Sequence, residues 1–61
     1  MWVIKNKKYG NFYHSTINKN MKHFVSYIEE AKKMSKTQCN NIMKTFKNIE
    51  NYEMIKVGKY V

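Results

Sequence analysis

The chain has no proline and only two glycines, Gly10 and Gly58, so backbone punctuation locates very few of its turns. One turn is marked at Lys8-Tyr9-Gly10-Asn11, because Gly and Asn tolerate positive φ. Gly58 ends the last apolar run. Between the two glycines, boundaries must be read from capping residues and from the period of the apolar side chains.

Before the first turn, Trp2 and Ile4 alternate with Val3, Lys5 and Lys7, a period of two that reads as a strand. After it, Phe12, Tyr13, His14, Ser15, Thr16 and Ile17 resume strand character. The expectation is a β-hairpin over roughly 2–17. Asn18-Lys19-Asn20 is a polar break in which either Asn can cap a helix. From there Met21, Phe24, Val25, Ile28 and Ala31 recur at helical spacing, with His23 on the solvent side and Glu29–Lys33 as an i,i+4 pair. Ser35 followed by Gln38 matches a capping box and starts a second helix, whose apolar stripe is Cys39, Ile42, Met43, Phe46 and Ile49. Met21 to Ile49 also fits one long or bent helix, because the 4-3 spacing is spoiled only at Lys32 and Ser35. Tyr52 to Val57 alternates as a third strand.

The expected fold is α+β, ββααβ, in one small domain spanning 1–61. A three-stranded sheet, made of the hairpin and the returning C-terminal strand, carries two helices on one face. The last strand lies parallel to the first, in the order 2-1-3. The outer strands of such a sheet are edges open to strand addition.

Composition bears on function. There are twelve Lys and no Arg, eight Asn and no Asp, six Ile and no Leu. Residues with A/T-rich codons have displaced those with G/C-rich codons, which points to a genome or mobile element of very low GC content. Part of the net charge of +8 therefore reflects lysine as the default polar residue. At 43% hydrophobic and 15% aromatic, the chain has enough apolar material for a core. A domain this small buries only about 60% of its unfolded surface, so its stability is slim and self-association as a homodimer is a reasonable support. The single Cys39 allows no internal disulfide. Met1-Trp2-Val3-Ile4-Lys5 does not read as a signal peptide, and the expected location is the cytoplasm of a bacterial host.

The opening strand Trp2 to Lys7, the turn at Lys8-Tyr9-Gly10, the resumption at Phe12-Tyr13, the run Ile28-Glu29-Glu30-Ala31-Lys32 and the closing strand Tyr52 to Val57 together resemble the short accessory proteins of bacteriophages and mobile elements. The resemblance implies a host-takeover role, with inhibitors of host machinery, anti-CRISPR proteins among them, as the understood examples. It carries over no functional residue.

The residues argue against catalysis. The only carboxylates are Glu29, Glu30, Glu50 and Glu53, and adjacent Glu29 and Glu30 point apart on a helix. No Gly-rich loop can cradle a phosphate. Cys39 sits in an apolar stripe, which favours a buried structural role. His14, His23 and Cys39 match no compact ligand spacing, so no metal or other cofactor is expected. The apolar helix faces are needed for the core, which leaves little to insert into a membrane.

Lysines and aromatics remain. Lys5, Lys7 and Lys8 surround the hairpin with Tyr9 and Tyr13, and Lys56, Lys59 and Tyr60 lie near the last strand. Lys interleaved with Tyr on a sheet is the composition of a single-strand nucleic-acid surface, and equally of a solvated face over a thin core. Without Arg, bidentate reading of guanine is disfavoured. A helix-turn-helix over 21–50 would present Lys44 and Lys47 with Asn40, Asn41 and Asn48 to DNA. The leading expectation is a non-enzymatic protein that docks on a host protein or protein–nucleic acid complex and inhibits it. Tyr9, Tyr13, Tyr27 and Tyr60 are its candidate anchors. The alternative is direct, weakly sequence-specific nucleic-acid binding through Lys and Tyr, sensitive to salt.

Overall fold

The computed structural model describes residues 1–18 and 21–58 of the chain. Lys19, Asn20, Lys59, Tyr60 and Val61 lie outside the described residues, and with them the capping role read for Asn20 and the anchor read for Tyr60. The fold is α+β. Strands β1 (Trp2–Asn6), β2 (Phe12–Asn18) and β3 (Met21–Val25) are followed by a 3-10 turn at Ile28–Glu30 and by helix α1 (Lys36–Met43). A second 3-10 turn at Ile49–Asn51 leads into β4 (Tyr52–Lys56). The four strands form one sheet in the order β3-β2-β1-β4, antiparallel throughout.

The hairpin forms as its residues predict. Gly10 takes φ 74°. Buried Asn6 organises the turn: its Oδ1 accepts from the Lys8 and Tyr9 amides at 2.9 and 3.2 Å, and its carbonyl accepts from Gly10 N at 2.7 Å. The capping box is also present, with Gln38 N donating to Ser35 Oγ and Ser35 N donating to Gln38 Oε1, both at 3.2 Å.

The first expected helix, and the long single helix that was its alternative, do not form. Residues 21–25 are a strand, so His23 stands on β3 and not on a helix. The helical spacing of Met21, Phe24, Val25, Ile28 and Ala31 has another origin. Phe24 and Val25 fall on opposite faces of β3 and join two different core clusters, while Ile28 opens and Ala31 caps a 3-10 turn. Lys33 does not extend its ammonium to the Glu29 side chain. It donates to the carbonyls of Glu29 at 2.9 Å, Ala31 at 3.2 Å and Ile28 at 3.3 Å, closing that turn.

The extra strand reverses the expected direction of the last one. Trp2 pairs with Met34, which places residue 34 at the starting end of β1, and Asn6 pairs with Tyr52 at its other end. Between β2 and β4 the chain thus crosses the sheet three times: as β3, as the segment 26–34, and as α1 with its following turn. Two helices would have crossed it twice and left the last strand parallel to β1. Three crossings make β4 antiparallel. The crossover is tied to both central strands, since Lys32 N donates to Tyr13 O (3.1 Å) and Trp2 and Met34 exchange backbone bonds of 2.7 and 2.8 Å.

Both faces of the sheet are covered, and not one face by two helices. On one face Cys39 of α1 packs with Ile4, Tyr13, Met34 and Phe46. On the other face Ala31 of the crossover packs with Val3 and Val57, flanked by Phe12, Val25 and Ile55. Neighbouring Val3 and Ile4 are both fully buried, one into each cluster. Each such side chain contributes about 1.5–3 kcal/mol of burial. β1 is therefore the spine of the domain.

Candidate functional site

Two features of the sheet shape its accessible surface. The first is its curl. In a flat sheet the outer strands of four would stand roughly 14 Å apart, at about 4.8 Å per strand. Here the rings of Phe24 on β3 and Tyr52 on β4 approach to 5.9 Å, and Phe46 packs on Tyr52 at 4.4 Å. The second is the irregular β2–β3 ribbon. Its register shifts between Tyr13 and Ser15 and again between Thr16 and Asn18. His14 and Ile17 are the extra residues of two β-bulges, which increase twist and re-aim side chains.

Over the aromatic cluster opens a cleft of about 330 Å³. Its floor is Phe24, Phe46 and Tyr52, and its rim is Lys22, Lys47 and Asn48. Lys22 Nζ lies 5.1 Å from the Phe46 ring centroid, a cation–π distance. Lys22 and Thr45 are shared with a groove that continues between α1 and the ribbon, past Thr16, Asn41 and Ile42. No described carboxylate lines either one. Together they form a basic, amide-bearing channel with an aromatic end, suited to an anionic ligand that has planar groups.

The residues singled out from the sequence scatter around the molecule. Lys7, Lys8 and Tyr9 are exposed at the β1–β2 turn, with Lys8 Nζ 5.4 Å from the Tyr9 ring. Lys5 is half-buried, opposite Phe12 on one side and Glu53 on the other. Tyr27 is exposed just before the first 3-10 turn. Lys56 pairs with Trp2, whose ring carries Lys36 Nζ at 5.4 Å. Lys44 caps the end of α1, and only Lys47 reaches the cleft.

Tyr13 is not an anchor for a partner. It is 3% exposed, packs on Phe24 and Phe46, and its hydroxyl meets Thr16 Oγ1 at 2.6 Å. The helix-turn-helix is absent too, because its first helix is β3 and the crossover. The cleft residues Lys22, Phe24, Phe46 and Tyr52 were not picked out. The available signal was Lys22-x-Phe24, which shares a face once the segment is read as a strand.

Among the described residues no group of three His, Cys, Asp or Glu could hold a metal ion, and no helix is long and apolar enough to cross a membrane. Cys39 is fully buried, and that burial raises its thiol pKa against the partly offsetting charge of the amino terminus. The chain matches no protein-family profile, no curated protein and no solved structure.

Proposed function

We propose that this chain is a non-enzymatic binding protein of a bacteriophage or mobile element, which docks on a host protein or protein–nucleic acid complex and inhibits it. The low-GC composition supports the origin. The observation that carries the docking is the β2–β3 ribbon: Ile17 and Met21 are 60% and 55% exposed around its Asn18–Met21 pair. β3 is also an outer strand of the sheet, with one edge free of strand partners among the described residues. Exposed aliphatic side chains beside an open strand edge are the elements of strand-addition recognition. The lysines accelerate encounter with an acidic partner more than they set affinity.

The test is a pull-down from host lysate with tagged protein, in nuclease-treated and untreated halves. The parent and the Ile17→Lys/Met21→Lys variant are compared. A defined protein retained after nuclease by the parent and lost by the variant supports docking through the ribbon. Recovery that vanishes with nuclease favours a second reading, a weakly sequence-specific nucleic-acid binder. The cleft supports that alternative, with bases on the Phe24 and Tyr52 rings and phosphates at Lys22 and Lys47. Such binding would weaken by orders of magnitude between low and moderate salt, whereas an apolar protein contact would persist.

A further inference from the structure

We infer that His14 and His23 form a two-imidazole site for a late first-row divalent cation such as Zn²⁺ or Ni²⁺. The two residues are nine apart in a chain whose spacing gives no metal motif, and a β-bulge brings them together. Tyr13 pairs with Phe24 and Ser15 with His23, so His14 is the additional residue facing the same stretch of β3. Both rings are exposed, and their centroids are 5.2 Å apart with planes at 89°. Two imidazoles on one tetrahedral Zn²⁺, with Zn–N of about 2.0–2.1 Å, place their ring centroids roughly 5 Å apart. The separation therefore already fits chelation. What remains is rotation of the His23 ring about χ2, a broad torsion for histidine.

A second feature points the same way. His14 Nδ1 lies 3.2 Å from Ser15 Oγ. A ligating histidine donates its other ring N–H to a neighbouring acceptor, which fixes the tautomer and directs the free nitrogen to the metal. With Nδ1–H on Ser15 Oγ, His14 presents Nε2. Imidazole nitrogens select Zn²⁺, Ni²⁺ or Cu²⁺ over Mg²⁺ or Ca²⁺. Two protein ligands leave the other coordination positions to water or to a donor from a partner. The site does not depend on the docking reading.

The full chain is titrated calorimetrically with Zn²⁺ and separately with Ni²⁺ in a non-chelating buffer near neutral pH. His14→Ala, His23→Ala, Ser15→Ala and Cys39→Ser are run beside the parent, and circular dichroism checks their folding. The expected result is one ion per chain in the parent, at least tenfold weaker binding in each histidine variant, and about tenfold weaker binding in Ser15→Ala. Cys39→Ser should bind like the parent, and the ring proton resonances of both histidines should move together during the titration. No binding by the parent overturns the proposal. So does loss in only one histidine variant, retention in both, or loss confined to Cys39→Ser.

Discussion

Phe24 and Tyr52 stand on the two opposite outer strands of the sheet, and their rings stack at 5.9 Å with an interplanar angle of 29°. Phe46, just beyond α1, lies against both. The curl of the sheet and the position of the helix end therefore depend on one aromatic cluster. Phe46 is 8% exposed whereas Phe24 is half-buried. Phe46→Ala is expected to cost about 3–5 kcal/mol and Phe24→Ala somewhat less. Against the few kcal/mol available to so small a domain, the first variant should be largely unfolded at 25 °C and the second folded with a lowered midpoint. Urea titration followed by circular dichroism distinguishes them.

Asn6 holds the first turn through its side-chain oxygen. Asn6→Ala strands the Lys8 and Tyr9 amides and should destabilise by about 1–3 kcal/mol. Asn6→Asp keeps an acceptor at the same place and should recover part of that loss. Thermal melts of the two variants at neutral pH make the comparison.

Ser35→Ala removes the cap of α1, and a loss of about 1 kcal/mol is expected. Because α1 is only eight residues long, amide exchange at Thr37, Gln38 and Cys39 should accelerate more than exchange in β1. Equal acceleration throughout would mean that helix and sheet open as one unit.

Cys39 couples stability to pH. Burial raises the folded thiol pKa above its unfolded value, so the folded state holds the proton more tightly. That stabilisation is complete below the unfolded thiol pKa of about 8.5 and is lost as pH rises through the folded value. Between pH 7 and pH 10 the parent should lose more stability than a Cys39→Ala variant, whose packing loss is the same at both. Urea midpoints at the two pH values supply the double difference.

Lys33 closes the first 3-10 turn with three carbonyl contacts. Lys33→Met keeps much of the aliphatic stem and removes the donors. It should speed amide exchange at Glu30 and Ala31 while lowering global stability by no more than about 1 kcal/mol, since the ammonium is partly solvated. A drop in the global midpoint as large as that of Phe24→Ala would contradict this local role.

Residue order alone establishes the elements whose cues are local. Gly10 with flanking β-formers makes the first turn, Ser35 and Gln38 make the helix start, and alternation from Tyr52 makes β4. The apolar content of the chain also suffices for a core. Local cues misread residues 21–31, because a strand with apolar side chains on both faces followed by one 3-10 turn yields the same i, i+3, i+4 spacing as an amphipathic helix. Its identity depends on which cluster each side chain enters, Phe24 under α1 and Val25 under the crossover, and that is a property of the assembled sheet. The direction of β4 follows from the same choice, since one added crossing reverses it. The cleft and the histidine pair were illegible for a related reason. Phe24 meets Tyr52 only when the sheet curls, and His14 meets His23 only when β2 carries one residue more than its partner. Neither depends on a spacing that a linear pattern preserves.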